Sequence, residues 1–325
     1  MHILSFQKRL FIKGLLLVVL FIVNCQLSIV NCQELLPYGN MDQWVVRIIT
    51  ESKVIGGNTK YLYELGPTDT IVGSDAYTNQ GGSPWANSNV LAKVAGVVKT
   101  NTSVFPEARG NGFCARMETR FESVKVLGLV DIEVIAAGSL YLGEMLEPIK
   151  GTKNPMGMLN CGIEFTKRPK AVSYDYKVKL APEDHRTKST GFSRKSKVDG
   201  KDEAAMICIL QKRWEDKEGN LYAKRVGTVM KRYVSDTDWV NGATYEILYG
   251  DITNHPDYKP YMNIQEDDLY ATNSKGKNVP VKEIGWAEAD ETPTHLILQF
   301  ASSHGGAYIG SPGNTFWIDN VKLVY

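Results

Sequence analysis

The C-terminal segment, Ser302–Tyr325, is the part of the chain that most restricts how it can fold. It predicts a closing hairpin with a short strand at Ala307–Ile309 and a final strand at Thr315–Tyr325. The turn between them, residues 310–314, is rich in Gly, Pro and Asn, which supply the backbone angles that tight turns need. A chain that ends in this way favours antiparallel β-structure.

The final strand also predicts an irregularity in its own pairing. Its apolar residues change from even to odd positions along the strand. Phe316 and Ile318 are at even positions, and Val321, Leu323 and Tyr325 are at odd positions. Because one inserted residue changes the phase of a period-two pattern, we expect a β-bulge at Asp319-Asn320. The bulge would fix an acidic side chain at a kink in an otherwise buried strand.

Strand patterns dominate the rest of the chain as well. Residues 172–180 alternate between apolar and polar side chains, which is typical of a half-exposed antiparallel strand. Residues 204–210 are apolar on both parities, which favours a central strand covered on both faces. No segment keeps a helical period over three turns. The sequence therefore predicts an all-β protein with two stacked antiparallel sheets.

Residues 1–33 have the pattern of an export signal. Lys8, Arg9 and Lys13 precede an apolar run, Gly14–Val23, that is too short to span a bilayer. Small residues favour cleavage before Gln33, which would release the protein; in the alternative, Cys32 would carry a lipid anchor. Residues 34–325 are then expected to form one domain.

The charge balance excludes two classes of partner. The chain has 37 basic and 36 acidic residues, and removing the three basic residues of the signal leaves 34 basic residues. A nearly neutral protein has no electrostatic basis for binding nucleic acid or an anionic membrane. Three cysteines remain, Cys114, Cys161 and Cys208, either as buried free thiols or with one disulfide among them.

Four segments carry a resemblance to a known family. They are the C-terminal run Ser302–Tyr325, the opening segment Tyr38–Trp44, the strand Gly112–Thr119 and the segment Gly162–Tyr176. Together they resemble the putative carbohydrate metabolism domain family, whose members are secreted proteins. The resemblance implies a jelly-roll sandwich similar to galactose-binding and carbohydrate-binding-module folds. It also implies that the opening segment and the final strand lie together.

Carbohydrate recognition needs flat aromatic faces together with planar polar groups. Four tryptophans lie in predicted loops or at strand ends, where exposure is expected, and Arg168 lies in a family motif; the candidate ligand-binding residues are Trp85, Trp214, Trp239, Trp286 and Arg168. Each of them also has a structural alternative, a loop plug for tryptophan and an ion pair for Arg168. Trp44 and Trp317 lie within strands and are expected in the core.

The resemblance also implies a metal site, because carbohydrate-binding jelly rolls often hold a structural calcium ion. Asp319 in the last strand and Asp42 in the opening segment are the expected ligands. Ca²⁺ binds hard oxygen ligands from carboxylates and backbone carbonyls. In the alternative, Asp319 accepts hydrogen bonds from backbone N–H groups at the bulge. No other cofactor is expected.

The leading function is non-catalytic binding of an oligo- or polysaccharide, in support of glycan utilisation. We expect the protein in the periplasm, on the outer-membrane surface or outside the cell, with other glycan-utilisation proteins as further partners. One alternative is a glycoside hydrolase, for which Glu133, Glu164 and Asp175 are acid candidates on strand-like segments. The other alternative is a structural or adhesion protein.

Overall fold

The computed structural model of the protein describes residues 32–94, 96–126, 130–151, 153–191, 194–265 and 269–325. The predicted export signal lies almost entirely outside these ranges.

The described residues form an all-β protein, as predicted. Its strands are β1 (Gln33–Leu35), β2 (Trp44–Thr50), β3 (Thr59–Leu65), β4 (Asp69–Val72), β5 (Trp85–Asn87), β6 (Val90–Val94), β7 (Val97–Asn101), β8 (Val104–Arg109), β9 (Gly112–Glu118), β10 (Arg120–Val126), β11 (Val130–Ala136), β12 (Ser139–Met145), β13 (Leu159–Cys161), β14 (Ile163–Glu164), β15 (Ala171–Lys179), β16 (His185–Lys188), β17 (Ser196–Asp199), β18 (Ala204–Glu215), β19 (Leu221–Tyr233), β20 (Thr237–Glu246), β21 (Leu248–Tyr249), β22 (Tyr270–Thr272), β23 (Asn278–Trp286), β24 (His295–Ala301), β25 (Ile309–Gly310) and β26 (Thr315–Val324). Its helices are 3₁₀ turns at Lys53–Ile55, Met156–Met158 and Pro260–Met262.

Two large sheets share the main hydrophobic core. The six-stranded sheet has the order β20-β15-β26-β9-β8, with β1 also paired to β26. The ten-stranded sheet follows β13-β12-β24-β18-β19-β23-β22, with β5, β14 and β21 attached. Side chains from both sheets meet in one buried cluster, for example Phe316 and Tyr174 from the first and Phe300 and Met206 from the second. Burial of this apolar surface is the main force that stabilises the fold.

The last strand has the predicted bulge. Pairing between β15 and β26 runs from Ser173 opposite Lys322 to Asp175 opposite Asp319, so β26 contains one extra residue there. Asn320 has a φ of 53°, a left-handed conformation that asparagine tolerates better than most residues. The bulge keeps the apolar side chains on both of its sides in the core, and Phe316, Ile318, Val321 and Leu323 are all fully buried.

The opening segment contacts the last strand, as the resemblance implied. Leu36 N donates to Val321 O at 3.1 Å, and Val321 N donates to Gly39 O at 2.8 Å. A side chain at position 39 would place its Cβ 2.7 Å from Val321 O. Glycine is therefore required there for the two backbones to approach each other.

The predicted closing hairpin is wrong in its pairing. The turn forms, since Asn314 N donates to Ser311 O at 3.1 Å. However, the short strand before it, β25, pairs with β16. Both edges of β26 are already occupied, by β15 and β9. The chain thus changes sheets at the turn, which local turn chemistry does not reveal.

Two smaller expectations can also be compared with the structure. Cys114, Cys161 and Cys208 are buried and free, which agrees with the first of the two alternatives for the cysteines. Within the described ranges, no helix has the length and apolar character needed to cross a bilayer.

Candidate functional site

A polar cleft of about 370 Å³ lies where β18 ends and β19 and β24 begin. Its lining residues are Asn160, Gly162, Glu164, Arg213, Trp214, Glu215, Leu221, Ala271, Thr272 and His295. Small-ligand pockets in proteins have volumes of roughly 300–1,000 Å³, so the cleft can hold one or two sugar rings.

Strand register brings the polar side chains of the cleft together. His295 is the first residue of β24, and its partners across the sheet are Glu164 on β14 and Gln211 on β18. Residues opposite each other in register point to the same face, as do residues two apart on one strand. Gln211, Arg213 and Glu164 therefore share a face with His295. Glu164, Gln211 and His295 are far apart in sequence, and only sheet pairing makes them neighbours.

Trp214 is the exposed aromatic residue of the cleft. Its side chain is 40% exposed. It pairs across strands with Tyr222, and the two rings stack with centroids 6.0 Å apart and planes 22° apart. Cross-strand aromatic pairs of this kind hold each other's orientation. Because successive residues of a strand point to opposite faces, the indole lies on the other face of β18 from the Arg213 side chain, at the edge of the cleft.

Arg213 lines the cleft with an incompletely satisfied guanidinium. Nη1 and Nη2 each donate to Cys161 O at 3.3 Å, and Nη2 also donates to Gln211 Oε1 at 2.9 Å. Nε is buried and has no hydrogen-bond partner. Among the described residues, no carboxylate forms an ion pair with Arg213. Burial lowers the pKa of Arg213 to about 10, so the side chain is still a cation at neutral pH.

Gly162 lies next to this guanidinium. Its φ is 90°, which favours glycine. A Cβ at this position would lie 3.4 Å from Arg213 Nη2 and 3.2 Å from Ile297 Cγ1. A larger residue would therefore strain the backbone and crowd Ile297, while it would only touch the guanidinium.

Behind the cleft, Arg213 joins a buried network that we call the Arg213–Arg225 network, formed by Arg213, Gln211, Glu283 and Arg225. Gln211 Nε2 donates to Glu283 Oε1 at 2.8 Å. Arg225 Nε donates to the same oxygen at 2.6 Å, and Arg225 Nη2 pairs with Glu283 Oε2. The side chains of Arg225 and Glu283 are both fully buried. The network thus contains two guanidiniums and one carboxylate, which leaves it with an excess positive charge.

His295 is neutral under ordinary conditions. Burial, with a further contribution from the positive charge of Arg213, lowers the pKa of His295 from 6.5 to about 4. Its Nδ1 lies 2.9 Å from Thr294 Oγ1. The imidazole can therefore exchange hydrogen bonds with a ligand without adding charge to the cleft.

This shift predicts a pH dependence of stability. A folded-state pKa below the unfolded value means that the unfolded chain binds the proton more tightly. The contribution of His295 is therefore present above about pH 6.5 and is lost as the pH falls toward 4. Between pH 7 and pH 5 we expect the unfolding free energy of wild type to fall by about 1–2 kcal/mol more than that of His295→Asn. Urea denaturation at several pH values measures the difference, and parallel curves for the two proteins would contradict it.

Two carboxylates complete the lining of the cleft. Glu215 accepts hydrogen bonds from Ser274 N at 2.8 Å and Ser274 Oγ at 2.6 Å, and these bonds lower its pKa. Glu164, one of the acid candidates from the sequence, is exposed on β14. Carboxylates can accept hydrogen bonds from the hydroxyl groups of a ligand.

The remaining predicted tryptophans lie elsewhere. The expected exposure of Trp85 is wrong, because this residue is 1% exposed and its indole N–H donates to Pro37 O at 2.8 Å. It is held in this position because β5 pairs with β12 inside the large sheet. Trp286 is half-buried against a second apolar cluster. Trp44 and Trp317 are in the core, as predicted.

Arg168 interacts with backbone and not with the cleft. Its guanidinium donates to the carbonyl oxygens of Ala289 and Glu291 and lies 4.1 Å from the centre of the Tyr249 ring. This arrangement stabilises the loop before β24. Its structural partners are carbonyl groups, whereas the sequence suggested an ion pair.

Trp239 and Asp319 come together at a different place, around Arg109. The Arg109 guanidinium lies 3.9 Å from the centre of the Trp239 ring and pairs with the carboxylates of both Asp319 and Asp175. Asp319 also accepts a hydrogen bond from Asn320 N at 2.7 Å, the bulge contact given as an alternative above. Burial raises the pKa of Asp319.

These contacts do not fit the expected calcium ligands. A guanidinium already supplies positive charge to Asp319, while Asp42 accepts hydrogen bonds from Phe113 N at 2.9 Å and Asn40 Nδ2 at 2.7 Å. In the part of the chain that the structure describes, no group of three or more acidic, His or Cys residues could hold a metal ion. The calcium site stays a prediction.

Sequence reasoning missed Arg213 and His295, the two most unusual groups of the cleft. One signal was available: Arg213-Trp214-Glu215 ends a long apolar strand with a cation, an aromatic ring and an acid in succession. Nothing local pointed to His295, because its partners are Gln211 and Glu164.

The fold and the cleft define an all-β protein with a solvent-accessible polar site of ligand size. The chain belongs to the family described as "Putative carbohydrate metabolism domain", whose sequence profile matches residues 67–324. The family resemblance seen in the sequence is thereby confirmed. No curated protein matches the chain in sequence.

Solved structures that align with this chain include two proteins named as putative glycoside hydrolases. The one from Bacteroides vulgatus ATCC 8482 is 16% identical with a TM-score of 0.41, and the match covers 68% of this chain and 77% of that one. The one from Bacteroides thetaiotaomicron VPI-5482 is 18% identical with a TM-score of 0.44, with 82% and 75% covered. Proteins this distant can differ in ligand and in reaction.

Proposed function

We propose that the protein is an exported carbohydrate-binding protein that supports glycan capture at the cell surface or in the periplasm. The observation that carries the proposal is a cleft lined by hydrogen-bonding side chains, with the exposed Trp214 at its edge, in a member of a carbohydrate-related family. Export follows from the signal pattern of residues 1–33. We also propose that the two large sheets form a jelly-roll sandwich.

The chemistry of the cleft suits a sugar ring. One face of a pyranose presents C–H groups that pack on an aromatic ring, and Trp214 offers such a ring. The hydroxyl groups at the ring edge need planar donors and acceptors. Glu164, Glu215 and His295 supply acceptors, and Arg213 supplies donors.

Replacing Trp214 tests the proposed site. Trp214→Ala should weaken binding of a glycan that the wild type retains by about 1–3 kcal/mol, or roughly 5- to 150-fold in Kd, because the aromatic contact is lost. The matched control is Tyr61→Ala, since Tyr61 is a 50% exposed aromatic residue on β3, outside the cleft. A glycan array followed by calorimetry measures both. Equal affinities of wild type and Trp214→Ala for the glycan would show that the glycan does not bind at the cleft.

A glycoside hydrolase is the second candidate, and the presence of two carboxylates in one cleft favours it. Glycosidases place an acid and a second carboxylate on either side of the scissile bond. If the chain hydrolyses glycans, Glu164→Gln or Glu215→Gln should abolish the release of reducing sugar. Binding without such release supports the non-catalytic function.

A further inference from the structure

We propose that the glycan bound in the cleft carries an anionic group, a carboxylate or a sulfate ester, and that Arg213 binds it. The inference rests on the proposed function and names the ligand class of the same site. The excess positive charge of the Arg213–Arg225 network is the first observation that supports it.

In this network one guanidinium is paired with a carboxylate and the other is not. Arg225 lies against Glu283 through two of its nitrogens, whereas Arg213 reaches that carboxylate only through the neutral amide of Gln211. A partly buried charge without a counterion costs free energy, because water is replaced by a less polar environment. The Arg213 side of the network is also the side that lines the cleft. A ligand anion there would provide the missing counterion.

The hydrogen-bonding groups of Arg213 support the same conclusion. A guanidinium has five N–H groups, and in the described residues three contacts to acceptors are present, two of them long at 3.3 Å. Nε is left without any acceptor. One N–H of Nη1 also remains without an acceptor in the described residues, and an oxygen of a carboxylate or sulfate group in the cleft can accept a charge-assisted hydrogen bond from it.

The other charged groups of the cleft restrict where the anion can bind. Glu164 is exposed, and Glu215 is half-buried with both of its carboxylate oxygens bonded to Ser274, so solvent screens the first charge and hydrogen bonds hold the second in place. His295 is uncharged at neutral pH. The anionic group of the ligand therefore belongs against Arg213, with the sugar hydroxyls toward the two glutamates.

The test compares matched ligands on the full chain. The first pair is a uronic-acid oligosaccharide and its methyl ester, and the second is a sulfated oligosaccharide and its desulfated form. Wild type should bind one anionic member at least tenfold more tightly than its neutral partner, and that affinity should fall with added salt. Which of the two pairs shows this preference identifies carboxylate or sulfate.

The variants separate this inference from the proposed function. Arg213→Met should remove the preference, so that the anionic and the neutral ligand bind with similar affinity. Arg213→Lys should restore part of the preference, and Trp214→Ala should weaken binding of both ligands by the same factor. Equal binding of anionic and neutral ligands, independent of salt, would overturn the inference while sugar binding stands. If no glycan binds at all, the proposed function itself fails. If Arg213→Met does not fold, the salt dependence of anionic-ligand binding by wild type still tests the inference.

Discussion

Glu283→Gln should be among the most destabilising single substitutions in the protein, with a loss of about 3–5 kcal/mol. The wild-type carboxylate is fully buried and is the counterion of Arg225, whose side chain is also fully buried. A glutamine of the same shape keeps the packing but leaves two guanidiniums behind the cleft with no negative charge. Equilibrium urea denaturation at pH 7 measures the cost as a decrease in the unfolding midpoint.

Arg225→Met is the informative comparison, and we expect a smaller loss of stability from it. It leaves Glu283 with hydrogen bonds from Gln211 Nε2 at 2.8 Å and Gln265 N at 3.2 Å. A buried carboxylate can also become neutral by taking up a proton, whereas a guanidinium cannot lose its proton under ordinary conditions. An equal or larger cost for Arg225→Met would contradict the excess positive charge assigned to the network.

Local patterns in the sequence were sufficient for features that depend on one strand. The parity change around Asp319-Asn320 predicted the bulge, since it is a property of consecutive residues. The double-sided apolar run in β18 predicted a central strand, and β18 lies between β24 and β19. The positions of Trp44 and Trp317 in the core followed from the same kind of evidence.

Features that depend on pairing between distant strands could not be predicted in this way. Trp85 lies in a segment rich in Gly, Ser and Pro that looks like a loop, yet it is buried because β5 pairs with β12. The ion pair of Arg225 joins residues 58 positions apart, and Arg213 contacts the carbonyl of Cys161, 52 positions away. Only the sheet order places these groups together, and the sequence contains no local signal for that order.

A second buried charge network, formed by Arg47, Glu64 and Glu147, has the opposite imbalance. Arg47 Nη1 lies 2.9 Å from Glu64 Oε1, and Arg47 Nη2 lies 2.6 Å from Glu147 Oε2. The three side chains are 2%, 5% and 1% exposed, so one guanidinium faces two enclosed carboxylates. Burial, opposed by Arg47 and reinforced by Glu147, raises the pKa of Glu64 to about 8. We therefore expect this network to remove its excess charge by holding a proton at neutral pH, whereas the guanidiniums of the Arg213–Arg225 network cannot lose one under ordinary conditions.

Glu64→Gln should therefore stabilise the protein at alkaline pH relative to wild type. The pKa of Glu64 is higher in the folded state than its unfolded value of 4.5. The contribution of protonated Glu64 to stability is therefore fully present below pH 4.5 and is lost as the pH rises through about 8. Glutamine resembles the protonated acid and does not titrate, so its advantage over wild type should grow by roughly 2–4 kcal/mol between pH 5 and pH 9. This trend is opposite in sign to the one expected for His295.

Urea denaturation of wild type, Glu64→Gln and the surface control Glu288→Gln across this pH range distinguishes the possibilities. The control carries the same change of charge at an exposed position and should follow wild type at every pH. If Glu64 were instead ionised in the fold, as a partner of Arg47, its replacement would remove a buried ion pair and destabilise the protein at all pH values. A growing advantage at high pH would show that the Arg47 network contains a bound proton in the wild-type fold.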